Sequence, residues 1–109
     1  MTRLEKLYIN YNEIVLLDPI ENLKSLKVLQ ISYNKVIAPN QCAQILTNLP
    51  KLRELSINGN PCSKELRFTY ELILKMPKLK MMNDEAVKEM DRDVAQMHFE
   101  MNGIKFFDE

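Results

Sequence analysis

The phrase LEKLYINYNEI at residues 4 to 14 returns as LKVLQISYNKV at 26 to 36 and as LRELSINGNPC at 52 to 62. Aligned, the copies share the pattern LxxLxIxxN: Leu4, Leu7, Ile9 and Asn12; Leu26, Leu29, Ile31 and Asn34; Leu52, Leu55, Ile57 and Asn60. They begin 22 and then 26 residues apart, a period at which one small structural unit is repeated along a chain. In LYI, LQI and LSI the aliphatic residues alternate with Tyr8, Gln30 and Ser56, the period-2 signature of a strand with one apolar side. One strand this short cannot bury that side by itself. Stacked copies bury it together, so the pattern predicts an α/β solenoid with a short parallel sheet on its concave face and 3₁₀ or helical returns on its convex face. The strands are expected near 7–9, 29–31 and 55–57. Asn12, Asn34 and Asn60 take a structural role, because an amide has donors and an acceptor for turn backbone groups that no regular ladder serves.

The returns differ in length. VLLDPIENLKS at 15 to 25 is short and carries Pro19, which predicts a single 3₁₀ or helical turn. In APNQCAQILTNLPK, Asn40 is placed to cap a helix whose Cys42, Ile45, Leu46 and Leu49 follow helical spacing up to Pro50. The third return predicts a helix over about 63–75, with Phe68, Leu72 and Met76 four apart and Pro77 as its stop. A degraded fourth phrase follows, in which Asp84 stands where the third aliphatic belongs, and this ends the stack. Residues 1–83 thus read as repeats with a cap, and 84–109 as an amphipathic helix and tail.

These residues resemble the 22-residue leucine-rich repeat class named after a regulatory subunit of protein phosphatase 1, together with its C-terminal cap. The resemblance covers about residues 4 to 87 and rests on the three phrases, Asn60-Pro61, Phe68 and Pro77-Lys78-Leu79. The cap of that class closes with Leu-Asp; here the chain reads Met82-Asn83, with Asp84 one residue later. The class includes axonemal dynein light chain 1 and other ciliary proteins, tubulin-associated proteins and a spliceosomal ribonucleoprotein subunit. The resemblance therefore implies a protein partner, with dynein, tubulin or axonemal factors first, and a spliceosomal or phosphatase-regulating role as alternatives.

Beyond the cap, Val87, Met90, Val94, Met97 and Met101 are spaced 3, 4, 3 and 4 apart on a predicted helix that Asp84 or Asp91 opens and Asn102-Gly103 closes. Such a stripe either folds back over the solenoid end or docks a partner helix through a methionine-rich face. His98 lies one position off the stripe, and Ile104, Phe106 and Phe107 make the tail apolar. At the other end Met1 precedes Leu4 by three residues, too few for a polar capping element. The expectation is an edge that belongs to a longer repeat array or self-associates.

Fifteen basic and fifteen acidic residues cancel, so nothing global favours nucleic acid or an anionic membrane. The apolar runs are far shorter than the roughly 20 residues of a membrane span, and MTRLEKLYIN lacks the apolar stretch of a secretory leader. Cytoplasm, cytoskeleton or nucleus is the expected setting. Cys42 and Cys62 lie in apolar contexts without metal-ligand spacing, and neither a Gly-rich phosphate loop nor a nucleophile–histidine pair is present. No enzyme, cofactor or metal site is expected.

What remains is the concave face. Alternation sends Lys6, Tyr8 and Asn10, Val28, Gln30 and Ser32, Glu54, Ser56 and Asn58, and Met81 and Asn83 outward. Tyr11 and Tyr33 occupy equivalent positions in successive repeats, one strand spacing apart, as interface anchors or as an aromatic ladder that supports the turn. The mixed polar and aromatic character suits a protein helix or loop better than a phosphate backbone.

Overall fold

A computed structural model describes residues 3–64 and 66–102. Strands β1 (Lys6–Tyr8), β2 (Val28–Gln30) and β3 (Glu54–Ser56) come one from each phrase, and β4 (Met81–Met82) from the degraded fourth. They pair in parallel in chain order, with Leu7, Leu29, Leu55 and Met82 in register. Each strand begins and ends one residue earlier than the alternation suggested. The aliphatic residue just past each strand still joins the ladder through its amide: Ile9 N donates to Gln30 O at 2.8 Å and Ile31 N to Ser56 O at 2.9 Å. In strands of three residues the boundary is a matter of one position.

The apolar sides of the strands meet the convex returns in one core. Leu26, Leu29, Ile31, Leu46, Leu52, Leu55, Ile57, Phe68 and Leu72 are all buried there. The first return is the 3₁₀ turn Asp18–Ile20, which buries Leu17 and Ile20. The second carries helix α1 (Pro39–Thr47). Asn40 is not its cap: Ala38 holds that position without a side-chain bond, and Pro39 starts the helix. Proline's fixed φ suits the first helical position, where its missing N–H costs nothing. The third return runs through a 3₁₀ turn, Pro61–Lys64, before helix α2 (Leu66–Lys75), so the helix starts three residues later than its periodicity predicted. Both the amide and the hydroxyl of Ser63 donate to Asn60 O, at 3.0 and 2.8 Å, which tightens that turn.

Cys42 on α1 and Cys62 in this turn are both buried and free. The neighbouring Cys62 thiol, and then burial, push the Cys42 thiol far above its ordinary range, so it stays protonated.

The parallel stack ends in a hairpin. Asn83 and Asp84 both have positive φ, 53° and 66°, the backbone of a two-residue hairpin turn. β5 (Glu85–Ala86) runs back antiparallel along β4 and occupies the edge that a further repeat would need. Asp84 in place of an aliphatic residue is thus part of the turn. At the opposite edge no strand pairs with the outer side of β1 among the described residues, and Leu4, Leu7, Ile9 and Ile14 are only partly buried.

Helix α3 (Glu89–Asn102) packs on α2. Asp91 opens it, its carboxylate accepting Lys88 N at 2.8 Å. The face it buries is not the predicted stripe. Ala95 and Phe99 are buried, while Met90, Val94, Met97 and Met101 remain exposed and only Val87 reaches the core. Arg92 settles the choice: its guanidinium donates to the carbonyls of Ile73, Met76, Pro77 and Leu79, the last turn of α2 and the segment after it. Arg92 shares a side with Ala95 and Phe99, so anchoring it turns the methionines outward. Gly103, Ile104, Phe106 and Phe107 lie outside the described residues.

Candidate protein-binding face

The parallel register arranges the outward residues in columns. Lys6, Val28, Glu54 and Met81 form one, and Tyr8, Gln30 and Ser56 the next. Beyond the strands Asn10, Ser32 and Asn58 form a third. Their exposure is uneven. Lys6, Tyr8, Glu54 and Asn58 are exposed, Asn10, Gln30 and Met81 half-buried, and Val28, Ser32 and Ser56 buried. Val28, Ser32 and Ser56 therefore differ from the expectation that they project side chains from the face. Small side chains between larger ones in adjacent columns are covered by them and form the floor.

A polar network links the columns across repeats. Asn10 Nδ2 donates to Gln30 Oε1 at 2.9 Å, and Asn10 Oδ1 accepts Ser32 N at 2.8 Å. Ser32 Oγ donates to Asn58 Oδ1 at 2.5 Å. Asn83 turns its side chain away from solvent, its Oδ1 accepting the amides of Ile57 and Asn58 at 2.8 and 3.0 Å. These bonds fix the side chains of Asn10, Gln30, Ser32, Asn58 and Asn83, which therefore have little rotamer entropy left to lose.

Two of the three asparagines of the phrase, Asn34 and Asn60, are buried behind this face and reach back to the preceding repeat. The amide of Asn60, 1% exposed, donates to Ile57 O in its own turn and to Ile31 O of the preceding repeat, both at 2.9 Å. Its Oδ1 accepts Val36 N at 3.1 Å. Asn34 repeats the scheme one repeat earlier, with Ile31 O, Ile9 O and Ile14 N. Asn12 is exposed and bonds the Ile9 and Asn10 carbonyls of its own turn.

Tyr11 and Tyr33 form a stacked pair, ring centroids 4.8 Å apart and planes 7° from parallel. Each has φ 58°, and their amides donate to Ser32 O and Asn58 O, at 2.9 and 3.0 Å. The equivalent position in the third repeat is Gly59, with φ 78°. A Cβ there would lie 2.5 Å from Tyr33 Cδ1. The column is thus Tyr11 on Tyr33 on Gly59. Tyr33 is 48% exposed at the centre of this column and Tyr11 75% exposed at its end. Gly59 escaped the sequence reading although its alignment with Tyr11 and Tyr33 pointed to it. Gly59→Ala is expected to destabilise the chain by about 2 kcal/mol, from the left-handed backbone and the contact with a rigid ring. An unchanged urea midpoint would show that the stack shifts freely.

Charge on the face is sparse: Lys6 at one end of its column and Glu54 towards the other. The Lys27–Glu5 pair, 3.4 Å apart beside the face, is exposed and contributes little. Among the described residues no group of three or more His, Cys, Asp or Glu could hold a metal, and no helix is long and apolar enough to cross a membrane.

This architecture has relatives. The family described as Leucine Rich repeats (2 copies) matches residues 2–42. The chain is similar to the centrosomal protein of 72 kDa of Mus musculus, 30% identical over 91% of this chain and 15% of that protein. It is also similar to leucine-rich repeat-containing protein 23 of Homo sapiens, 32% identical over 89% of this chain and 28% of that protein. It spans less than a third of either relative. Among solved structures, one chain of the Drosophila melanogaster SNF/U2A′ complex superposes with a TM-score of 0.75 at 25% identity, over 89% of this chain and 56% of that one. The Chaetomium Mex67:Mtr2 structure shares the fold at a TM-score of 0.67 and 16% identity, over 86% of this chain and 67% of that one. Repeat phrase, parallel register, asparagine ladder and relatives agree: the chain is a leucine-rich repeat protein, and its sheet is the concave face of a leucine-rich repeat solenoid.

Proposed function

We propose that this chain is a non-enzymatic interaction module that binds a helix or loop of another protein on its concave face. The observation that carries this reading is the face itself: exposed Lys6, Tyr8, Tyr11, Glu54 and Asn58 around a floor of buried Ser56 and the hydrogen-bonded Asn10, Gln30 and Ser32. Tyrosines on such a surface add large contact area for few rotors, with a hydroxyl for a directed bond. One lysine and one glutamate give a partner an orientation without the basic stripe that a phosphate backbone requires.

For the setting, we favour a microtubule-based assembly: centrosomal, axonemal or ciliary, with tubulin, dynein or their assembly factors as partners. The likeness to a protein named as centrosomal supports it. A second reading, a nuclear ribonucleoprotein subunit that binds another protein, draws support from the likeness to a chain of the SNF/U2A′ complex. In both, the partner is a protein.

The test is affinity purification of the tagged native gene product beside a variant carrying Lys6→Glu, Tyr8→Ala and Glu54→Lys. All three side chains are exposed, so the melting temperature should move by no more than a few degrees. Recovered partners are expected to fall by about tenfold or more, the loss of one or two anchor contacts. Unchanged recovery would remove the concave face from the account. Tubulin or dynein among the lost proteins would select the first setting, and splicing proteins the second.

A further inference from the structure

Helix α3 is apolar on two nearly opposite sides. One side, Ala95 and Phe99 with Arg92, is buried against α2, and His98 beside it places its ring 4.9 Å from that of Tyr70. The other side presents Met90, Val94, Met97 and Met101, between 45% and 78% exposed. Their spacing of 4, 3 and 4 is that of the a and d seam of a two-stranded coiled coil, and the stripe runs for about 16 Å, three helical turns. Scattered exposed apolar residues are ordinary, but four in one helical row are an interaction surface.

The borders of the stripe say what covers it. Asp91 on one side and Glu89, Asp93 and Glu100 on the other are exposed acids. The single lysine or arginine from Glu89 to Asn102 is Arg92, whose guanidinium is occupied by the carbonyls around the end of α2. A second copy of α3 would set acidic border against acidic border, and the residues that follow, GIKFFDE, bring one lysine with two acids. A helix with an apolar row and basic flanks fits both features. Methionine suits it, because its unbranched, polarisable side chain adapts to differently shaped apolar rows.

We propose that the exposed side of α3 is a second docking site, which takes a basic amphipathic helix of a partner protein. It is independent of the concave face, and the two are separable by variants. The probe is a labelled peptide of about four helical turns with Leu at a and d and Lys at e and g, titrated against the full chain by fluorescence anisotropy, beside the same peptide with Glu at e and g. The lysine peptide is expected to bind about tenfold or more tighter than the glutamate peptide, and to weaken as salt screens the acidic border. Val94→Asp with Met97→Glu, both at exposed positions, should abolish binding without altering the circular dichroism melt. The Lys6→Glu, Tyr8→Ala, Glu54→Lys variant should bind as the parent does. Equal affinity for both peptides, absence of binding by the lysine peptide, or unchanged binding in the α3 variant would overturn the proposal. So would concentration-dependent dimerisation that the α3 variant abolishes, which assigns the stripe to a second copy. Binding that arises only when residues 103–109 are deleted would assign it to the chain's own tail.

Discussion

Asn60→Asp is expected to unfold most of the molecule at temperatures where the parent is folded. Its amide feeds two buried carbonyls, Ile31 O and Ile57 O, and its oxygen accepts Val36 N. Aspartate keeps the acceptor but turns a second oxygen, and a charge, towards both carbonyls. Each buried group left unpaired costs about 1–3 kcal/mol, and an uncompensated buried charge adds several more. A loss of about 5 kcal/mol is comparable with the whole stability of a domain this size. Asn60→Ala, with the same bonds lost but no charge, should cost about 3 kcal/mol. Asn12→Ala should cost less than about 1 kcal/mol, because Asn12 is exposed and its bonds stay within its own turn. Urea unfolding of the three variants reads the gradient. Equal effects at positions 12 and 60 would mean that the ladder does not couple successive repeats.

The second large effect is expected at Arg92. Its guanidinium joins α3 to four carbonyls at and beyond the end of α2, groups that the helix itself cannot satisfy. A cation there also meets the negative end of the helix dipole. Arg92→Ala should destabilise by about 3 kcal/mol, in the range of one or two hydrogen bonds from a charged group. Arg92→Lys should recover less than half of that, since one ammonium cannot span carbonyls that a planar fork reaches together. Hydrogen exchange gives the decisive reading: amides of α3 lose protection first, while those of β2 and β3 keep theirs. If α3 keeps its protection, Ala95 and Phe99 hold it without the arginine.

The repeat was legible because two periods coincide in it. The 22- and 26-residue spacing predicts stacking, and the alternation within LYI, LQI and LSI predicts which side faces the core; Leu7, Leu29 and Leu55 follow both. Asp84 could be seen to end the stack, although its positive φ in a hairpin belongs to three-dimensional structure. Other features depend on size and on distant contacts. Alternation placed Ser32 and Ser56 on the outer face, but it carries no information on whether larger neighbours close over them. On α3 the longer apolar row pointed to Met90, Val94, Met97 and Met101, while a smaller row, Ala95 and Phe99, was the one buried. What decides between them is the set of carbonyls near residues 73 to 79 that Arg92 must reach, and periodicity within one helix does not register groups on another. Proline at the start of α1 was a signal that could have been weighed above Asn40.

Recognition through the concave face is most directly tested by photo-crosslinking in cells from a benzophenone side chain placed at position 8 or 54, with positions 24 and 44 on the convex side as controls. Both controls are exposed, on the 15–25 return and on α1. Adducts to the same partner from positions 8 and 54, absent from 24 and 44, are the expected result. Adducts to that partner from the convex positions alone would contradict concave recognition and leave the solenoid as the scaffold for a site elsewhere.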